Sequence, residues 1–141
     1  MGAGKVKRME KDTVLVVEDD AAIRDNLQLL FEEEGYHAIV AYDGRAALDL
    51  LPKLPDPTVI LLDLMMPRLD GYGVLRDLAD HPEKRNRHPI FLLTAQMDRL
   101  SSDMVRLLGS EGVPVLPKPF DIEELLAQVD SAFARVRRDQ P

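Results

Sequence analysis

The acids Glu18, Asp19, Asp20 and Asp63, the ammonium of Lys118 and the hydroxyl of Thr94 all stand just past short apolar runs. Thr13-Val14-Leu15-Val16-Val17 leads into Glu18-Asp19-Asp20, and Val59-Ile60-Leu61-Leu62 leads into Asp63. Ile90-Phe91-Leu92-Leu93 leads into Thr94, and Val113-Pro114-Val115-Leu116 leads through Pro117 to Lys118. A charge at the lip of a buried strand is costly unless something pairs with it. Gathered in one crevice the acids repel, two unit charges 4 Å apart costing about 4 kcal/mol at a surface-like dielectric. Either some hold protons or a cation holds them. Oxygen ligands without cysteine or an ordered histidine set select a hard ion, and Mg²⁺ takes one or two carboxylates and works beside phosphate. Lys118 and Thr94 both suit phosphoryl oxygens. An aspartate beside a metal and a lysine can attack phosphorus and form an aspartyl-phosphate.

The elements that position these groups follow from pattern. Runs of four apolar residues read as strands buried on both faces of a parallel sheet. A helix begins at about Ala21, with Ile23, Leu27, Leu30 and Phe31 on one face, Asp20 as its cap and Gly35 at its end. A short strand near Tyr36 to Ala41 precedes a helix capped by Asp43 and buried through Ala47, Leu48 and Leu51. Pro52, Pro55 and Pro57 then break the chain. After Asp63 the loop closes at Asp70-Gly71, and a helix runs from Tyr72 to about Ala79. Asp80 to Pro89 reads as a polar loop in which Arg85 and Arg87 are solvated, and the next helix spans about Arg99 to Leu108. Pro114 marks strand five as an edge strand. The last helix opens at Asp121 with Glu124 as reciprocal capping partner, and Ile122, Leu125, Leu126, Val129 and Phe133 form its buried stripe.

Alternating strands and helices specify a doubly wound α/β fold, a five-stranded parallel sheet in the order 2-1-3-4-5 with helices on both faces. That order sets strands one and three together at the switch point, where such sheets hold their sites. Glu18, Asp19 and Asp63 converge there, joined by Thr94 and Lys118 from strands four and five. Residues 1–12 read as a flexible lead-in, 13–136 as the domain and 137–141 as a tail.

Composition narrows the function. At 141 residues the chain is one domain with an ordinary core. Its 18 basic and 25 acidic residues give a net charge of −7, which argues against direct nucleic acid binding. It has no cysteine, and no apolar run near the roughly 20 residues of a membrane span, so a cytoplasmic location is expected. His37, His81 and His88 lack the spacing of zinc ligands.

Each residue alone has a bland reading: Asp20 as a helix cap, Asp63 as a turn residue, Thr94 as a cap, Lys118 as a solvated surface charge. Their arrival at one edge of one sheet argues for a site. The chain resembles the receiver domain of two-component response regulators over about Thr13 to Val136. The motifs are Val14-Leu15-Val16-Val17-Glu18-Asp19-Asp20, Leu62-Asp63-Leu64-Met65-Met66-Pro67 with Asp70-Gly71, Leu93-Thr94-Ala95 and Leu116-Pro117-Lys118-Pro119-Phe120. The resemblance implies that Asp63 is the phosphoacceptor. It implies Mg²⁺ on Asp19 directly, on Glu18 through water, on Asp63 and on the main-chain carbonyl of Met65. Lys118 pairs with the phosphoryl group, Thr94 senses it, and the Lys118–Pro119 bond is cis. It further implies flavodoxin-like topology, a signalling switch rather than an enzyme, and a sensor histidine kinase or histidine phosphotransfer protein as donor. An effector protein or output domain receives the signal, with no membrane insertion.

The family usually carries an aromatic residue three positions before the lysine, and Val115 stands there instead. A haloacid dehalogenase-type phosphatase needs a second aspartate where Met65 stands, and a flavodoxin needs a phosphate loop where the acids stand. A degenerate receiver that only binds partners is the remaining alternative. The chain leaves no room after its last helix for an output domain, which fits either a single-domain regulator or the receiver of a longer protein.

Overall fold

The computed structural model describes residues 12–66, 68–85 and 87–138; residues 1–11 and 139–141, with most of the expected lead-in and tail, lie outside it. Strands β1 (Thr13–Val17), β2 (His37–Ala41), β3 (Thr58–Asp63), β4 (Ile90–Thr94) and β5 (Val115–Pro117) form one parallel sheet in the order β2-β1-β3-β4-β5. The helices are α1 (Ala21–Glu33), α2 (Gly44–Leu50), α3 (Gly71–Asp80), the single turn α4 (Pro82–Arg85), α5 (Ser102–Glu111) and α6 (Ile122–Arg138).

The two faces of the sheet follow from the alternation along its strands. Val14, Val16, Val59, Leu61, Phe91 and Leu93 face one way and pack with Leu27 and Phe31 of α1 and Leu125, Val129 and Phe133 of α6. Leu15, Val17, Ile60, Leu62, Ile90 and Leu92 face the other way, against Ala47 of α2, Val74, Leu75 and Leu78 of α3 and Leu108 of α5. Since both faces are covered, the central strands must be apolar between their ends, and β1 and β3 are buried along their whole length, with Thr13, Thr58 and Asp63 as the polar residues at their ends.

Side-chain caps fix where the helices begin. Asp20 accepts from the Ile23 amide at 3.0 Å, Asp43 from Ala46 at 2.8 Å and Asp70 from Gly73 at 2.9 Å. Ser101 accepts from Met104 at 3.1 Å and Asp121 from Glu124 at 3.1 Å. Each such cap contributes about 1 kcal/mol.

Four details depart from the sequence-based expectation. The helix expected over Arg99 to Leu108 begins at Ser102, because Ser101 caps it after an extended Leu100 and a separate 3₁₀ turn over Met97–Arg99. It runs through Gly109 to Glu111 and ends at left-handed Gly112, whose φ is 65°. Pro114 precedes β5 rather than lying inside it, and its carbonyl accepts from the Leu92 amide at 2.9 Å. Ile122, expected in the buried stripe of the last helix, is 48% exposed.

The fourth concerns Arg85, which is not solvated. It sits on α4 and donates to the carbonyls of His88 and Glu111, both at 3.1 Å, and to the Glu111 carboxylate at 3.2 Å. A guanidinium with five donors finds enough acceptors there to be held at 19% exposure.

Candidate functional site

Register brings the chemistry to one edge. Val17 pairs with Leu62 and Asp63 pairs with Leu93, so Glu18 and Asp63 emerge at the same level and Thr94 follows one residue further along β4. The backbone continues the ladder past the strands: Glu18 N–H donates to Ala41 O at 3.0 Å, Leu64 N–H to Leu93 O at 3.0 Å and Lys118 N–H to Thr94 O at 2.8 Å. The chain then turns through a cis Lys118–Pro119 bond, as expected.

Lys118 reaches across the crevice to two acids. Its Nζ donates to Glu18 Oε1 at 2.7 Å and to Asp63 Oδ1 at 3.1 Å. The second oxygen of Glu18 accepts from the Asp20 amide at 3.2 Å. Asp19 is exposed, and Glu18, Asp19 and Asp63 each offer a carboxylate oxygen within 4.8 Å of the others. Thr94 is buried, and its hydroxyl oxygen accepts from the Gln96 amide at 3.0 Å.

These contacts set the electrostatics. Burial and the neighbouring Glu18 charge push the Asp63 carboxyl up to about 6, against the opposing pull of Lys118. Burial works to lower the Lys118 ammonium, but its hydrogen bond to Glu18 and the two carboxylate charges outweigh that and leave it raised. Three carboxylates facing one ammonium leave the crevice short of positive charge. An all-oxygen set this crowded fits a hard divalent cation, and Glu18, Asp19 and Asp63 are the side chains that could hold one.

One feature of the site carries no signal in the sequence, and a second is legible there without its reason. Arg24, on α1, donates from Nη1 to Glu18 O at 3.1 Å and to Asp19 O at 3.5 Å, clamping the acidic turn by its carbonyls. Nothing in its spacing separates it from an ordinary helical arginine. Gly71 lies so close to the backbone of the acid itself that a β-carbon there would sit 2.6 Å from Asp63 O. The sequence places a loop closure at Asp70-Gly71, and this contact gives its steric reason. His37 and His81 are exposed, whereas His88 is buried; none joins the crevice.

The acid-and-lysine crevice lies at the carboxyl edge of a parallel sheet of this order, and known proteins share that architecture. The family model of the response regulator receiver domain matches residues 14–130, and the chain belongs to that family. Response regulator MprA of Mycolicibacterium vanbaalenii is 41% identical over 126 residues, 89% of this chain and 52% of the relative. A CheY-like response regulator receiver domain protein from Methanospirillum hungatei superposes with a TM-score of 0.79 at 33% identity, over 92% of this chain and 100% of its own. The receiver domain of a Francisella response regulator gives a TM-score of 0.74 at 34% identity, over 89% of this chain and 98% of its own. The chain spans about half the length of the curated relatives it matches. It is thus a receiver domain, a signalling switch of two-component systems. Among the described residues, no helix is long and apolar enough to cross a membrane.

Proposed function

We propose that Asp63 is the phosphoacceptor of a Mg²⁺-dependent switch. The observation that carries this reading is the convergence of Lys118 and the acid cluster on one buried aspartate, with Lys118 Nζ 3.1 Å from Asp63 Oδ1. A carboxylate oxygen of Asp63 attacks the phosphorus of a phosphohistidine; the P–O bond forms, the P–N bond breaks, and the imidazole leaves. The donor is a sensor histidine kinase or a histidine phosphotransfer protein. Hydrolysis of the acyl phosphate returns the carboxylate and inorganic phosphate.

Asp19, Asp63 and the Met65 carbonyl would hold Mg²⁺ directly, and Glu18 through water. When bound, the ion supplies positive charge that lets carboxylate and phosphoryl oxygens approach each other. The orientation of Glu18 supports its indirect role, since both its oxygens already accept hydrogen bonds from Lys118 and the Asp20 amide. Lys118 stands ready to exchange its Asp63 contact for a phosphoryl oxygen. The Thr94 hydroxyl supplies a donor from the adjoining strand, and its movement passes the signal to an effector or output domain.

With a small phosphodonor such as acetyl phosphate and Mg²⁺, intact-mass analysis should show one phosphoryl group on the wild type, labile at alkaline pH. Asp63→Asn should remain unlabelled. Equal labelling of both proteins would refute the assignment. The interaction-only alternative has no specific observation in its favour.

A further inference from the structure

The loop that leaves Asp63 departs at Leu64 and is closed by the Gly71 amide, which donates to Leu64 O at 2.9 Å. Within it Met65 is exposed, and Arg68 adopts a left-handed backbone with φ of 66°. A residue with a β-carbon enters that region at a cost, and one usually finds glycine or asparagine there. The cost must be met by contacts that over-determine the conformation.

Those contacts come from the start of α2. Arg68 Nε donates to Asp43 Oδ2 at 2.8 Å, with the Asp43 side chain 3% exposed and that of Arg68 68% exposed. The acid is therefore the fixed partner, anchored by its cap bond to Ala46 through Oδ1. That backbone bond, opposed by burial and aided by Arg68, holds the Asp43 carboxyl below its usual range. One residue further along both segments, the Gly44 amide donates to Leu69 O at 3.0 Å. The approach is so close that a β-carbon on Gly44 would sit 2.2 Å from Leu69 O. The two segments are thus clasped at two successive positions, by a charged pair and by a backbone bond. Capping α2 requires only the Ala46 bond, and turning the loop requires only a glycine, so neither job accounts for the pair.

We propose that the Asp43–Arg68 pair is a positioning device for the phosphoacceptor loop, fixing Arg68 and Leu69 and through them the backbone at Met65. This rests on the proposed role of Met65 as a main-chain Mg²⁺ ligand. An ion pair with one exposed partner adds little to overall stability, so its effect is on the loop, and the readout is cation affinity. Groups that orient metal ligands from outside typically change affinity by about 10- to 100-fold when removed.

Arg68→Gly removes the pair while easing the left-handed backbone. Asp43→Asn removes the charge while keeping an oxygen to cap α2. Mg²⁺ titrated calorimetrically into each full-length variant should bind about tenfold more weakly than to wild type. The double variant should bind no more weakly than either single one, the signature of a shared interaction. Arg68→Lys should recover part of the loss, and Arg68→Gly should melt in EDTA at or above the wild-type temperature. Single-variant affinities within twofold of wild type, or losses that multiply in the double variant, would overturn the proposal. Failure of the wild type itself to bind Mg²⁺ would instead strike at the proposed function.

Discussion

The Lys118 amide donates to the Thr94 carbonyl at 2.8 Å, one step beyond the last paired residues of β4 and β5. The ammonium that contacts Asp63 is therefore carried by the same backbone bond that ties β5 to the threonine. Charge balance at the acid and the position of the hydroxyl are set by one piece of ladder.

Crowding in the crevice predicts the behaviour of the metal-free protein. Asp63 is buried beside Glu18, so replacing its carboxylate with a neutral amide removes a repulsion. In EDTA at neutral pH, Asp63→Asn should be more stable than wild type by about 1 kcal/mol, a modest gain because the crevice mouth is wet. Added Mg²⁺ should close the gap, stabilising the wild type by about 1.4 kcal/mol at tenfold over its Kd. Urea titrations in both buffers measure it, and an Asn variant less stable than wild type in EDTA would contradict it.

Neighbouring acids should separate by role. Asp20 accepts from the Ile23 amide as the α1 cap, and asparagine caps equally well. Asp20→Asn should leave Mg²⁺ affinity within about twofold, whereas Asp19→Asn should weaken it about tenfold or more, roughly 1.4 kcal/mol. Calorimetric titration decides, and equal losses would erase the division of labour.

His88 gives the fold a pH dependence away from the crevice. Its Nδ1 accepts from the Thr58 amide at 2.8 Å, which requires the neutral ring. Burial pushes its pKa below the usual 6.5, with Asp56 opposing. The unfolded chain then takes up this proton at a higher pH than the folded one. Stability from this group is complete above about 6.5 and declines as pH falls from there toward the folded pKa. Urea midpoints between about pH 7.5 and 5.5 should fall more steeply for wild type than for His88→Gln, and parallel curves would disprove the assignment.

Signal output should leave through β4 and the turn and helix beyond it. The Gln96 amide donates to the Thr94 hydroxyl oxygen, so a hydroxyl drawn toward phosphate loosens the turn leading to Met97–Arg99 and α5. Val115 is half-buried, stiff about χ1, and followed two residues later by Pro117, which leaves it little to move. Backbone NMR with beryllofluoride should show larger shifts from Thr94 to Leu108 than from Val113 to Leu116. A dominant response at β5 that disappears in Val115→Ala would relocate the switch.

Alternation and strand ends are the most legible parts of this chain. The runs ending at Val17, Leu62 and Leu93 announce buried strands, and the polar residues after them fall where the sheet order requires. The helix start near Leu100 is easily misplaced, because Met97-Asp98-Arg99-Leu100 are acceptable helix formers that hide the N-cap signal of Ser101 just after them. Arg24, Arg68 and Arg85 escape a sequence-based reading for a common reason. Each is held by backbone carbonyls or an acid distant in sequence, and a charged residue on a helix or loop looks the same whether or not such acceptors await it.

The short fifth strand has a consequence for how copies of the protein meet. It is three residues long, lies at the sheet edge and ends in Pro117, which has no N–H to offer. An incoming extended segment would find an incomplete row of donors there, so this border gives a poor template for edge-to-edge growth into fibrils.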